Sequence, residues 1–219
     1  MLFSRAPTEK VRRRIKRRAE RFARAKEQAC GIGHLKLEER NRLFPACERI
    51  DLIALPSLHR ADEIASNLHA EFPWMAEATT LIWRALRRSV ASGEPGFRLP
   101  PLILEGGPGI GKSAWARRLA ELLAVPFEII DAVSEPASFA VAGVQRGWGS
   151  ASPGRPLDLI LNRQTANPLI VIDEAEKAGS AQTSNGQSVS LSGAMLPLLE
   201  ASIARRWNCP FYRVPFDMS

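Results

Sequence analysis

Gly106-Gly107-Pro108-Gly109-Ile110-Gly111-Lys112-Ser113 sets glycines, a lysine and a hydroxyl at the spacing G-x-x-x-x-G-K-[ST]. A polyphosphate is the ligand that needs them so arranged, because it requires many converging donors and no side chains in the way. Glycines take φ > 0 and let backbone N–H groups approach the β-phosphate. Lys112 would then reach the β- and γ-phosphates as a cation, and Ser113 would place its hydroxyl on Mg²⁺ at the start of the following helix. The nucleotide-contacting set expected from this stretch is Gly106, Gly107, Pro108, Gly109, Ile110, Gly111, Lys112, Ser113 and Ala114.

A second group lies downstream, where Leu169-Ile170-Val171-Ile172 runs into Asp173-Glu174. Four apolar residues in a row suit a central parallel strand, and its carboxyl end would open at the ligand crevice. Two carboxylates there divide the work of phosphoryl chemistry. Asp173 would join Ser113 in the Mg²⁺ shell, and Glu174 would orient and deprotonate the attacking water, with Lys112 as the other catalytic group. An ordinary acidic strand end is the bland alternative, and the loop upstream weighs against it. The cofactors implied are ATP and Mg²⁺.

The elements that must position these residues follow from pattern and punctuation. Leu102-Ile103-Leu104-Glu105 enters the loop as a buried strand would. Ala114, Trp115, Arg118, Leu119 and Leu122 recur at helical spacing up to Val125-Pro126, where the helix must stop. Phe127-Glu128-Ile129-Ile130-Asp131 reads as a second strand. Residues 143–156 are too rich in glycine and proline for regular structure, and a helix from Leu157 to about Gln164 follows. Residues 178–193, rich in Ser, Gly, Asn and Gln, read as a mobile loop. Leu191 to about Trp207 reads as largely helical, and Phe211–Val214 as a short strand.

Before the loop, Ser57 caps a predicted helix carrying Ile64, Leu68 and Phe72, which ends at Pro73. A second helix runs from about Met75 to Ser92, with Leu81, Trp83, Leu86 and Val90 among its apolar positions and Gly93 as its stop. Residues 30–60, broken by Gly31, Gly33, Pro45 and Pro56, read as a linker with one or two short elements. His34, His59 and His69 show no metal-ligand spacing.

The chain has 219 residues, 45% of them hydrophobic, enough to bury one good core and unlike a disordered chain. No apolar run approaches membrane-spanning length, and the charged N-terminus does not resemble a signal peptide. Cys30, Cys47 and Cys209 are odd in number and widely spaced, which suits free thiols in a reducing, cytoplasmic location. The net charge of +7 is local: residues 1–28 hold eleven Lys/Arg against three Glu, a net of +8, so the rest sums to −1. From Thr8 to about Ala29 the residues Val11, Ile15, Ala19, Phe22 and Ala29 share one helical face among those bases. This basic arm is a solvated helix packed on the body or a neighbour, or a binder of nucleic acid (residues 5–26) or another anionic surface beside a vestigial nucleotide fold, or a mitochondrial presequence, against which the three glutamates weigh.

From about Leu99 to Ser219 the chain resembles the AAA+ ATPases, and within them the Lon-type ATP-dependent proteases and their Lon-like relatives. Asp173-Glu174-Ala175-Glu176-Lys177 is similar to that group's D-E-[I/A]-[D/E]-K, and Val214-Pro215-Phe216-Asp217 to its V-P-F-D. Arg146-Gly147-Trp148 with Pro153-Gly154-Arg155 resembles the pore-loop segment R-T-Y-x-G-x-x-P-G-[KR], which puts Trp148 where an aromatic contacts translocated polypeptide. Gly147 and Gly149 depart from that pattern. The resemblance implies ATP binding, a polypeptide substrate, and a homo-oligomeric ring in full-length relatives.

The family's next strand, carrying its sensor residue, would begin just past Ser219, ahead of an arginine finger, a helical lid and, in Lon itself, a peptidase domain. ATP binding by this stretch, hydrolysis in the full-length context and no protease activity of its own are the expectations. The fold class expected is α/β: a P-loop NTPase three-layer core with an incomplete parallel sheet, preceded by an α-helical N-terminal region. In the family's order the missing strand lies between the loop strand and the Asp173 strand, which leaves a gapped three-stranded sheet or a direct pairing of those two. The divisions expected are 1–30 for the basic arm, 31–95 for a linker and helical segment, and 96–219 for the ATPase core.

Overall fold

The computed structural model describes residues 8–147, 149–179, 181–182 and 188–219. The chain forms two compact units, 1–48 and 49–219. In the first, α1 (Glu9–Ala29) is followed by α2 (Leu37–Glu48). The α1 end is tied to α2 by ion pairs of Lys26 with Glu48 (2.5 Å) and Arg40 with Glu27 (3.2 Å), and Lys26 also lies over the Phe44 ring. α2 occupies much of the stretch expected to be a linker. Pro45 sits inside it, at the cost of one backbone hydrogen bond.

The second unit is built on a short parallel pair. β1 (Phe127–Asp131) and β2 (Leu169–Asp173) run in register, Phe127 beside Leu169 and Asp131 beside Asp173. Helices cover both faces. On one side lie α3 (Leu58–Glu71), α4 (Ala76–Ala91) and α5 (Lys112–Leu123). Their buried Ile64, Leu68, Ile82, Leu86, Trp115 and Leu119 meet Phe127, Leu169 and Val171 of the strands. On the other side α6 (Ala137–Ala142) and α8 (Leu191–Leu199) bring Val141, Leu191 and Ala194 against Ile130, Ile170 and Ile172. Alternate strand residues thus serve opposite cores, so both strands read as apolar runs without polar alternation. This is the three-layer α/β arrangement expected.

Local signals placed the helices. The Ser57 hydroxyl accepts from the Arg60 N–H (3.2 Å) as the cap of α3, satisfying an otherwise orphaned donor. Arg60 in turn donates to the Leu122 carbonyl (3.0 Å) at the end of α5. The buried Trp115 indole donates to Thr79 Oγ1 (3.1 Å), joining α5 to α4. In α4 the inward residues are Ala78, Thr79, Ile82, Leu86 and Ser89, while Leu81 is 46% exposed. Asn167 pairs through its side-chain amide with both the N–H and the carbonyl of Ile53 (2.9 Å each), securing the chain just before β2.

The lead-in to the glycine-rich loop differs from expectation. Residues 102–105 belong to no strand. Leu102 and Leu104 pack against the α3–α5 core while Ile103 is 85% exposed. The side chains alternate as in a strand, but β2 pairs with β1 and no described strand pairs with this segment. The direct pairing of this segment with the Asp173 strand is therefore not observed; β1 and β2 pair with each other beside an unpaired lead-in, an incomplete parallel sheet as expected.

Toward the end of the chain, α7 (Arg155–Arg163) matches the predicted helix to within two residues. The 178–193 stretch lies partly outside the described residues; Ala181–Gln182 (β3) and Ser188–Val189 (β4) pair antiparallel. After α9 (Ala201–Ala204), β5 (Trp207–Asn208) pairs with β6 (Pro215–Phe216). The predicted strand Phe211–Val214 is instead the turn between them, with Tyr212 buried and edge-on to the Phe211 ring.

Candidate functional site

Gly106–Ile110 is an exposed loop that leads through the half-buried Gly111 directly into α5. Its shape depends on left-handed backbone: φ is +151° at Gly106, +77° at Gly109 and +91° at Gly111, values that favour glycine. At Gly106 a side chain would also meet Ile110, whose Cδ1 lies 2.6 Å from the position of a Cβ. At Gly107 and Gly109 nothing lies within 4 Å of where a Cβ would stand. The loop thus has the form of a cradle at a helix N-terminus, where unpaired N–H groups and the helix dipole favour an anion.

Lys112 lies over that cradle, its Nζ donating to the carbonyls of Gly106 (2.8 Å) and Gly107 (3.0 Å). Ser113 Oγ donates to Asp173 Oδ2 (2.9 Å). The start of α5 and the end of β2, sixty residues apart in sequence, therefore meet. Glu174 follows in a left-handed conformation, φ +54° and ψ +39°, with its N–H donating to Asp173 Oδ1 (3.1 Å). That backbone is uncommon for a non-glycine residue, and such strain clusters at functional positions. The Glu174 carboxylate accepts from Lys177 Nζ (2.8 Å). That hydrogen bond, with the carboxylate's charge, holds the Lys177 ammonium above its ordinary pKa. Ala114 lies in the first turn of α5.

Two aromatic residues at the loop carried no chemical signal in the sequence. Trp74, 63% exposed, donates from its indole Nε1 to the Ile110 carbonyl (2.8 Å). Phe72 meets Trp74 edge-on at 5.9 Å and lies 3.7 Å from where a Gly111 Cβ would stand. Together they connect the α3–α4 corner to the loop. A tryptophan beside a helix-ending proline, in Phe72-Pro73-Trp74, is the signal that could have marked them.

Trp148 lies outside the described residues, but the residues on either side are held. Arg146 stacks on Phe211 at 5.0 Å and donates to its carbonyl (2.8 Å). Arg155 pairs with Glu128 (3.4 Å) and Glu135 (2.9 Å). Gly143 and Pro153 form a bridge between the two ends of the segment. Gly154 passes so close to Val141 that a Cβ would fall 2.1 Å from its carbonyl oxygen.

The sequence profile of the ATPase family associated with various cellular activities (AAA) matches residues 102–211, just over half of the chain. The chain belongs to that family. Within it the likeness is to Lon. The chain is 30% identical over 131 residues to a Lon protease of Lawsonia intracellularis, covering 60% of this chain and 15% of that protein. It is 29% identical over 175 residues to a peroxisomal Lon protease homolog 2 of Oryza sativa subsp. indica, 70% of this chain and 19% of that one. A peroxisomal Lon protease homolog 2 of Pichia angusta is 31% identical over 124 residues, 56% and 13% respectively. This AAA chain therefore spans less than a fifth of the length of these relatives. Among its described residues no helix is long and apolar enough to cross a membrane.

Proposed function

We propose that this AAA chain binds Mg-ATP at the Gly106–Ser113 loop and hydrolyses it in its full-length context, as a Lon-like core that remodels or feeds polypeptide in a cytoplasmic ring of its own copies. The observation that carries this reading is the 2.9 Å hydrogen bond between Ser113 and Asp173. It brings a hydroxyl and a carboxylate, the hard oxygen ligands or water-holders that Mg²⁺ takes, to the mouth of a loop shaped for phosphates. Lys112 holds loop carbonyls here and is positioned to exchange them for phosphate oxygens. Ser113 and Asp173 would hold Mg²⁺, which would supply compensation for the charge that develops on phosphoryl transfer. Glu174, one residue beyond Asp173, is the group that would take the proton of the attacking water.

The test is the metal dependence of ATP-analogue binding. Asp173→Asn is expected to lower affinity measured with Mg²⁺ by roughly tenfold or more and to leave affinity in excess chelator unchanged. Equal affinity of variant and parent under both conditions would overturn the role given to Asp173. Trp74→Phe keeps the ring but removes the donor to Ile110. Loss of one such hydrogen bond is worth about 1 kcal/mol, so analogue affinity should fall a few-fold; undiminished affinity would mean that the loop does not depend on this tie.

A further inference from the structure

Nothing in the nucleotide site accounts for α1. All of residues 8–22 are exposed, and no residue of the helix is buried. Phe22 is 72%, Ile15 56% and Val11 45% exposed, although these are the residues a helix normally packs away. At about 100° per residue they fall within roughly 40° of one another around the axis. Arg12, Arg14, Arg18 and Arg21 border or interrupt this stripe. Glu9, Glu20 and Glu27 lie on the far side of the helix, roughly 140–160° from the centre of the stripe. The acids are thus kept off the apolar face, while bases surround the helix: Arg12, Arg14 and Arg18 flank the stripe, and Lys10, Arg13, Lys16, Arg17 and Arg24 share the far side with the acids.

We propose that α1 lies in the surface of a membrane containing anionic phospholipid. Its stripe would enter the acyl boundary while the arginine stems run up to the headgroup phosphates. The residues pointing at the lipid would be Val11, Ile15 and Phe22. Residues 9–25 make a cylinder about 25 Å long, ample for an interfacial helix, and far too charged to span. Other occupants fit less well. Nucleic acid would satisfy the bases but leave the apolar stripe in water. A second copy of α1 would cover the stripe but oppose Arg14, Arg18 and Arg21 to their own kind. An anionic surface with an apolar interior uses both features.

Co-sedimentation of the full chain with vesicles tests this. Binding is expected to phosphatidylcholine vesicles containing phosphatidylglycerol and not to phosphatidylcholine alone, and to weaken with added salt. Ile15→Ser with Phe22→Ser should reduce partitioning roughly tenfold or more. Both side chains are exposed, so the fold should be unaffected, and an unchanged circular dichroism spectrum checks this. Three results would overturn the proposal. The parent chain could remain in solution with both vesicle types, or the serine variant could bind them as well as the parent. The parent could also bind duplex DNA in preference to vesicles, with the serine variant equal to it, which would assign the arm to nucleic acid.

Discussion

Lys112→Ala is expected to lower the affinity for a Mg-ATP analogue by roughly 100-fold or more. Removing one partner from a charge-assisted contact costs about 2–5 kcal/mol, and the phosphates carry the highest charge density of the ligand. Thermal unfolding separates this effect from damage to the fold. Lys112 is half-exposed, and among the described residues its hydrogen bonds go only to the carbonyls of Gly106 and Gly107. Without nucleotide the midpoint should therefore stay within about 2 °C of the parent's, as for ordinary surface changes. At an analogue concentration about 100 times the dissociation constant, the parent should gain about 2.7 kcal/mol. The variant should gain almost none. A parent-like rise in the variant's midpoint would remove Lys112 from the phosphate site and the proposed nucleotide function with it.

The loop and both paired strands were legible in the sequence because their signals are local. Glycines at fixed offsets before Lys112 supply the positive φ that the loop uses, and the apolar runs of β1 and β2 suit strands buried on both faces. The Ser57 cap and the Pro73 stop delimited α3 for the same reason. What was not legible depends on distant partners. Leu102-Ile103-Leu104 has strand composition, yet a strand exists only where another backbone pairs with it, and none of the described strands does. Its alternation survives as inward Leu102 and Leu104 and outward Ile103. Trp74 is the parallel case within the site. Its indole reaches Ile110 across 36 positions, and only the packing of α3 and α4 on α5 brings the two together. The Ser113–Asp173 hydrogen bond spans more sequence still, but there both ends carried a chemical signal. A motif can therefore name its own residues, while the side chains that brace it must be found in space.

Glu174→Gln is expected to reduce ATP turnover by about 10²- to 10⁴-fold, the range for loss of a positioned general base, while analogue affinity stays within about twofold. Gln keeps the shape and can still accept a hydrogen bond from Lys177, so the strained backbone at φ +54° should persist; only the capacity to take a proton is lost. Lys177 provides the internal comparison. Its ammonium holds the Glu174 carboxylate on the 3-10 turn that follows β2, and an exposed pair of this kind is worth at most about 1 kcal/mol. Lys177→Met should therefore raise turnover by no more than about fivefold, by releasing the carboxylate toward the attacking water. The double variant should be as slow as Glu174→Gln alone, because releasing a glutamine gains nothing. If Lys177→Met were instead as slow as Glu174→Gln, the ion pair would be part of the working arrangement. If Glu174→Gln lost binding and turnover together, Glu174 would be a ligand of the nucleotide complex and the base would have to be sought elsewhere.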